Sequence, residues 1–444
     1  MANFNRFIVS FLFFSVTIAE AAILHVPASY TTIHSAVTAA ASCDTILLVS
    51  GTYTDTLSLP VNITVASGFI IDGDTNTIAS TIWRATYSRP LIYSNSNSLT
   101  LSGIRVESAE PSLSGCQIIK GVTHTLIMDH CYFIGTFFPG NADRYQDAAI
   151  ALDGTSIHPV IIISNCHYFG SATAIMPWIA VNLSTSRFIM TDCTVEGRGN
   201  SRNSVLVYVT DTLRVQRTVF SHNGYGPSMT GIAAIIDSCQ FKSIADFPLT
   251  IGSGIVTNCL FDSCFLAWNP YPDAIITSLH GADTIRNCLF SHNTSFYTDL
   301  TPSVQKSLIM VNMGSVQVVN CEIENNTFAG SLLSFNEDNC TNGNFDSTSI
   351  HDNTFAWGCA VYDTLLPQLH FSKCDFDRNQ FTQNGNVLYN TSVGIATAPD
   401  CWWGDATGPE IPTAKDKRCR IASILFHGER LPSFQQPEYR GKTT

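Results

Sequence analysis

The sequence predicts an all-β fold in which short parallel strands wind into a solenoid. One phrase recurs along the chain: an apolar strand, a polar residue, a small residue that is usually Cys, any residue, and a large apolar residue. Neighbouring copies lie 20 residues apart at the closest, from Cys239 to Cys259, and 35 at the widest, from Cys131 to Cys166. Repeats of this length are typical of stacked units that bury a core only together. Helical periodicity is absent from most of the chain, which disfavours a helical solenoid.

Each copy alternates with a period of two, so every second side chain is expected to point inward. Too few residues separate the copies for a crossover helix and a second strand. Stacking therefore aligns equivalent side chains in columns, one of Cys and one of Phe, Ile or Val. The Cys position falls at Cys131, Cys166, Cys193, Cys239, Cys259, Cys288, Cys321 and Cys374, and looser copies stand at residues 217–220 and 353–355.

A further column is predicted five residues after the small position, at Asn223, Asn293, Asn326 and Asn379. Asn tolerates a left-handed turn, and its amide can bond the Asn of the next copy. We therefore expect these residues to turn the chain and to form a ladder. Cys264 occupies the same position and is read as a substitution in this column.

The copies resemble the right-handed parallel β-helix repeats of the pectin-lyase-like superfamily, over roughly residues 24–410. Residues 26–53 resemble the opening of many secreted bacterial members, in which a short amphipathic helix caps the barrel. Thr32 is the expected N-cap of this helix, and the expected buried stripe is Ile33, Ala36, Val37 and Ala40. In that family a Gly commonly precedes an Asp-Thr pair. The pair is Asp44-Thr45 in this chain, and Cys43 stands at the Gly position. The resemblance implies the fold but not the activity, because the superfamily includes lyases, hydrolases and adhesins.

Four segments are expected: a signal peptide at 1–21, an N-terminal cap at 22–43, the parallel β-helix at 44–410 and an atypical tail at 411–444. Arg6 supplies a positive charge before an apolar stretch, and the small residues around Ala21 favour cleavage after it. The apolar stretch is too short to span a bilayer, and no later segment is long and apolar enough. We therefore expect a secreted or cell-surface protein without a transmembrane span.

The tail departs from the pattern. Residues 402–409 resemble the Trp-Trp-Gly…Gly-Pro phrase that closes many bacterial β-helices, and no strand pattern follows. Codons can be chosen for residues 416–430 such that a reading frame shifted by two bases encodes Val-Ser-Asp-Ser-Val-Asp-Phe-Ile-Pro-Trp. Related proteins carry a phrase of this type at this point. The hypothesis is that the tail after about Thr413 is a frameshift product. The alternative is a divergent, disordered tail.

Composition excludes some classes of partner. The formal net charge is −12 and only 13% of the residues are charged. This argues against nucleic acid and anionic membranes, and mildly against a polyanionic substrate such as pectate. Fifteen Cys in an exported chain would ordinarily suggest disulfides, but about half occupy the inward repeat position. A ladder of buried thiols is therefore favoured over a disulfide framework.

Loops that leave equivalent points of the repeat are expected to emerge on one edge and to wall a groove between about residues 137 and 299. Aromatic rings with sparse carboxylates and Arg suit sugar rings. The predicted ligand-binding residues are Tyr145, Arg198, Arg202, Tyr225, Trp268, Tyr271 and Tyr297. The alternative is that the aromatic rings fold back to cover the barrel.

Catalytic candidates fall in the first of these loops. A glycosidase needs two carboxyl groups roughly 5–9.5 Å apart, which Asp143 and Asp147 are positioned to supply. A lyase needs a base such as Arg, for which Arg144 is the candidate beside Arg198 and Arg202. The motifs of pectate lyases and polygalacturonases are not found, which puts those two activities in doubt.

No cofactor is predicted. Residues 72–76 superficially resemble a calcium (Ca²⁺) loop, but Trp83 stands where the twelfth position needs Glu, so a turn is expected. His222 and His292 occupy matching repeat positions, which repetition explains more simply than a metal does. The leading function is therefore an exported, carbohydrate-interacting protein that contacts a polysaccharide or glycan surface. The alternatives are a polysaccharide lyase or glycoside hydrolase, and a structural adhesin or stalk.

Overall fold

A computed structural model of the chain shows strands stacked in parallel. It describes residues 21–85, 90–95, 97–108, 117–135, 148–154, 158–170, 178–183, 186–199, 204–209, 211–231, 233–266, 273–295, 306–335, 340–356, 359–361, 368–382, 388–390, 395–402 and 420–426. Within these ranges three long sheets run along the molecule, and each strand pairs in parallel with the strands one turn before and one turn after it. The chain is therefore a parallel β-helix, as the repeat predicts.

The strands form three sheets and a short ladder, named A to D in the order in which one turn visits sheet A, sheet B, ladder D and sheet C. Sheet A contains Ile23–Val26, Thr45–Leu48, Ile63–Ser67, Leu99–Ser102, Thr125–Asp129, Val160–Ser164, Arg187–Thr191, Thr212–Gln216, Ala234–Asp237, Gly254–Thr257, Ala282–Arg286, Gly314–Val319, Cys340–Asp346, Gln368–Ser372, Ile395–Cys401 and Arg420–Phe426. Sheet B contains Gly51–Tyr53, Thr81–Ala85, Arg105–Ser108, Tyr132–Gly135, His167–Gly170, Thr194–Gly199, Val219–Asn223, Gln240–Lys242, Leu260–Asp262, Leu289–Ser291, Glu322–Glu324, Ser349–His351 and Asp375–Asp377. Sheet C contains Leu57–Ser58, Ile92–Asn95, Ile119–Val122, Ile150–Gly154, Ile179–Leu183, Val205–Val209, Ser228–Thr230, Leu249–Ile251, Asp273–Ser278, Lys306–Val311, Leu333–Phe335, Cys359–Val361 and Leu388–Asn390. Ladder D contains Phe265–Leu266, Thr294–Ser295, Thr327–Phe328, Thr354–Phe355 and Gln380–Phe381.

The core is built from the predicted columns. Cys259 and Cys288 are buried, and each Sγ donates to main-chain carbonyls of its own turn and of the turn before. Thr218 and Thr348 take the Cys position in two turns and are also fully buried. The prediction of a looser copy at residues 353–355 is wrong, because that segment belongs to ladder D. The repeat position of that turn is Thr348, whose hydroxyl replaces the thiol.

Aromatic rings form a second column on the inner face of sheet B. The rings of Phe241, Phe261 and Phe290 stack with centroids 4.6 Å and 4.8 Å apart and interplanar angles of 4° and 6°. All three side chains are fully buried. Because parallel strands in register place like residues above one another, the predicted apolar column becomes a continuous stack.

The predicted Asn ladder is present from Asn293 to Asn379, but the expectation that Asn223 belongs to it is wrong, because Asn223 Nδ2 donates to the Val195 carbonyl instead. Nδ2 of Asn293 donates to Oδ1 of Asn326, Nδ2 of Asn326 donates to Oδ1 of Asn353, and Nδ2 of Asn353 donates to Oδ1 of Asn379, each at 2.9 Å. Asn353, which was not among the predicted members of the column, completes the series. The expectation that these residues make the left-handed turn is wrong: the residue before each of them does, as at Asn325 with φ 55°. The turn thereby directs the Asn amide inward, where only its neighbours can satisfy it.

The corner between sheets A and B carries another left-handed residue in most turns. Asn258, Asn287 and Asn320 have φ of 55°, 52° and 51°. Their amides form an outer ladder, in which Asn320 donates to Asn287 at 2.8 Å and Asn287 donates to Asn258 at 3.3 Å. Left-handed φ costs residues other than glycine roughly 1–2 kcal/mol. Short polar side chains reduce that cost by bonding locally, which explains the polar residue that precedes each Cys in the repeat.

The N-terminal end is closed by the expected helix α1, Ile33–Ala39. The Thr32 side chain accepts from the Ser35 backbone N–H, and Ile33 is among the buried residues of the helix. Ala40 is the C-cap and only half-buried, so the predicted stripe ends one turn earlier. Cys43 has a φ of 76°. Glycine adopts positive φ without steric cost, which explains why related sequences have Gly at this position.

Three elements differ from expectation. Helices α2, Phe69–Asp72, and α3, Thr75–Ser80, flank the segment that was expected only as a turn; Gly73 joins them with φ 71°, and Asp74 caps α3. In the tail, where no strand was expected, Arg420–Phe426 pairs in parallel with Ile395–Cys401. Its apolar run is short enough to pair as one more strand.

None of the helices within the described ranges has the length and apolarity that crossing a membrane requires.

The state of the thiols leads to a test of the core. The twelve Cys whose side chains the structure describes form no disulfide, and of these only Cys43 is exposed. Burial raises the pKa of the Cys193 and Cys264 thiols to about 12, and the thiolate is the reactive form. Alkylation of the native protein followed by peptide mass spectrometry is expected to label Cys43 and to spare Cys193, Cys264 and Cys288 until denaturant is added. The Cys43→Ser variant is the control, and rapid labelling of the Cys264 peptide in the native protein would contradict the buried column.

Candidate functional site

The loops singled out from the sequence all connect to the same edge. The segments 136–147, 200–203, 267–272 and 296–305 each follow a strand of sheet B or ladder D and precede a strand of sheet C. Their attachment points are aligned because the flanking strands pair in register from turn to turn. We call this the loop edge. It is the position that the repeat predicts for a groove.

Most of the predicted site residues lie outside the described part of the chain, and their roles stay predictions. This holds for Asp143, Arg144, Tyr145, Asp147, Arg202, Trp268, Tyr271 and Tyr297. Arg198 lies in the strand Thr194–Gly199 of sheet B, but its side chain is not described. Tyr225 is the predicted residue whose surroundings the structure describes.

At the loop edge Tyr225 stacks on Phe247. The ring centroids are 5.9 Å apart with an interplanar angle of 14°, and both side chains are half-buried. Asp246 and Phe247 both have positive φ, 40° and 48°, and this turn carries the second ring to the first. Phe247 was not among the predicted residues; it stands eight residues after Cys239, whereas Tyr225 stands seven residues after Thr218. The pair forms a two-ring surface at the edge where the predicted aromatic loops begin.

A buried carboxyl supports this turn. Oδ1 of Asp273 accepts hydrogen bonds from the backbone N–H groups of Phe247 at 3.1 Å and Ala274 at 2.7 Å. Nζ of Lys306 lies 3.6 Å from Oδ2 of the same carboxyl, and both side chains are almost fully buried. Burial raises the pKa of Asp273 to about 8, against the opposing effect of Lys306. A polar anchor beneath the edge therefore fixes the backbone that presents Phe247.

A second aromatic group lies on the outer face of sheet B. The rings of Tyr132 and His167 meet edge to face at 5.1 Å, and those of His167 and Phe169 stack at 6.2 Å. Burial lowers the pKa of His167, which favours a neutral ring. One turn before Tyr132, Glu107 pairs with Arg84 at 3.1 Å. These residues occupy the outward positions of the repeat phrase, which the sequence analysis did not use.

One described group has the composition of a metal site. The carboxylate oxygens of Glu322 and Glu324 and one ring nitrogen of His351 all lie within 4.8 Å of one another on the outer face of sheet B. The repeat singles out His222 and His292 instead, because they occupy matching positions. His292 contacts a single carboxylate, that of Asp262, at 3.2 Å, and its side chain is 63% exposed. The signal that was overlooked is the alternation Glu322-Ile323-Glu324, which points both carboxylates outward.

Parallel strands that stack turn upon turn around an aligned core define the class of β-helix proteins. The comparison with known protein families supports this assignment. Residues 234–398 match the family model described as "Right handed beta helix region". No curated protein sequence matches the chain. The chain is a right-handed parallel β-helix protein.

Proposed function

We propose that this protein is exported and binds a glycan along the loop edge, without catalysis. The observation that carries the proposal is the half-buried pair Tyr225 and Phe247, stacked where the predicted aromatic loops attach. Aromatic ring faces bind the C–H faces of sugars, while nearby polar groups take the hydroxyls. The export component rests on the N-terminal segment 1–21 and its expected cleavage after Ala21.

The architecture supports binding to a chain rather than to a single sugar. Successive turns are about 4.8 Å apart, and the loop edge extends over the turns from Tyr132–Gly135 to Thr294–Ser295. A row of aromatic groups at this spacing suits an extended oligosaccharide. The net charge of −12 favours a neutral glycan over a polyanionic one.

Binding is tested on a glycan array with the purified full chain and its variants. Tyr225→Ala and Phe247→Ala are each expected to weaken binding by about tenfold, because each removes one face of the stack. Trp268→Ala and Tyr271→Ala test the loop residues that the sequence predicts. The control is Tyr93→Ala, which removes an aromatic ring that is 49% exposed on sheet C, five strands from Ser228–Thr230.

Two outcomes would contradict the proposal. One is the absence of binding to any neutral or acidic glycan, which leaves a structural adhesin or stalk. The other is binding that Tyr225→Ala and Phe247→Ala leave unchanged. Release of reducing ends or unsaturated uronates from polysaccharides, lost in Asp147→Asn, would instead indicate a hydrolase or lyase.

A further inference from the structure

The outer face of sheet B brings three metal-ligand side chains together from two neighbouring turns. Glu322 and Glu324 alternate along one strand, so both project from the same face. His351 is the register partner of Glu324 in the next strand. The three residues are therefore adjacent on one side of the sheet, although 26 residues lie between Glu324 and His351 in the chain.

The distances suit a small cation. Nε2 of His351 lies 3.4 Å from Oε1 of Glu322 and 3.9 Å from Oε2 of Glu324. A tetrahedral zinc ion with bonds of about 2.0–2.2 Å separates its ligand atoms by roughly 3.3–3.6 Å. The distance from His351 to Glu322 is already within that range. The distance from His351 to Glu324 needs to shorten by a few tenths of an ångström.

The histidine ring is held in place from its other side. Nδ1 of His351 lies 2.8 Å from Oδ2 of Asp352, and Arg378 donates two hydrogen bonds of 2.6 Å to that carboxylate. Metal-binding histidines usually donate their second ring N–H to a carboxylate, which fixes the tautomer and leaves the other nitrogen for the metal. The contacts with Asp352 and Arg378 lie outside the three candidate ligands and set the direction in which Nε2 points.

Charge also favours a cation here. The side chains of Glu322, Glu324 and His351 are only 17%, 27% and 12% exposed, so the two carboxylates are held close together with limited access to water. Like charges at this distance repel, and the repulsion increases as water is excluded. A divalent ion between them removes that repulsion and satisfies the imidazole nitrogen at the same time.

We propose that Glu322, Glu324 and His351 bind one divalent transition-metal ion, with Zn²⁺ preferred. The imidazole ligand selects against Ca²⁺ and Mg²⁺, which take oxygen ligands. Three protein ligands leave a fourth coordination position for water or for an oxygen of a bound molecule. The proposal is independent of the glycan-binding role of the loop edge, which lies on other residues.

The test is a titration of the chelator-treated full chain with Zn²⁺ by calorimetry and with Co²⁺ by visible spectroscopy. One ion is expected to bind per chain, with the d–d absorption of a low-coordinate Co²⁺ and no sulfur charge-transfer band, which excludes the thiols as ligands. Glu322→Gln, Glu324→Gln and His351→Gln are each expected to lower the affinity at least 100-fold, and Asp352→Asn by about 10–100-fold. His292→Gln is the matched control, since it removes a histidine that pairs with one carboxylate, and it is expected to bind as the wild type does.

The glutamine variants at positions 322 and 324 differ little in volume from the originals, and circular dichroism verifies that they fold. Failure of the wild type to bind Zn²⁺ or Co²⁺ would overturn the proposal. Binding of equal affinity in the wild type and His351→Gln would overturn it as well.

Discussion

Asn326→Ala is expected to lower the free energy of unfolding by about 4 kcal/mol. The Asn326 amide donates to Asn353 and to the Phe290 carbonyl, and its oxygen accepts from the backbone and side-chain N–H groups of Asn293. Alanine leaves the buried Asn293 backbone N–H without its acceptor and removes one hydrogen bond each from the Asn293 amide, the Asn353 amide and the Phe290 carbonyl. Each buried group left unsatisfied costs about 1–3 kcal/mol. Urea unfolding followed by circular dichroism measures the loss.

The control for this experiment is Asn320→Gly on the outer ladder. That substitution removes the exposed bond from Asn320 to Asn287, while glycine keeps the φ of 51° without strain. Water replaces the lost hydrogen bond, so a loss below about 1 kcal/mol is expected. Equal losses in the two variants would show that the buried ladder contributes no more than a surface one.

Phe261→Ala is expected to cost a similar amount, about 3–5 kcal/mol, for a different reason. Phe261 is fully buried between Phe241 and Phe290, so its removal leaves a cavity that the stacked turns on either side cannot close. Because each turn of a solenoid contacts only its neighbours, the damage is expected to stay local. Hydrogen exchange should accelerate in Gln240–Lys242 and Leu289–Ser291 and remain slow in distant turns.

Phe169→Ala is the comparison on the same sheet. Its ring lies on the outer face and is half-buried, with His167 on one side. Its loss leaves no enclosed cavity, and the expected cost is about 1 kcal/mol. Exchange that accelerates uniformly along the chain in Phe261→Ala would contradict the local character of the core.

The repeat phrase was sufficient to predict the fold, because the period of two and the position of the small residue are local properties of each strand. It placed Cys259 in the inward column and Asn326 in the ladder. It failed at Thr348, where a polar residue replaces Cys and hides the copy. It also assigned the left-handed turn to Asn326 instead of Asn325, because side-chain chemistry alone does not show which of two adjacent Asn residues faces inward.

The candidate sites were less predictable. Tyr225 was found because its loop follows the repeat, whereas Phe247 reaches it only through two consecutive residues of positive φ. The grouping of Glu322, Glu324 and His351 depends on which outward residues meet across neighbouring turns. The intervening segment contains strands of ladder D, sheet C and sheet A, and its length does not reveal that register.

The sequence by itself determined that this chain is a stack of similar turns with aligned Cys, Phe and Asn columns, since those columns follow from alternation within each strand. Only the tertiary structure decided which outward side chains become neighbours, and hence that Tyr225 meets Phe247 and that Glu324 meets His351. The physical reason is that inward positions must repeat to fill a continuous core, while outward positions are free to vary and acquire partners only when the register between turns is set.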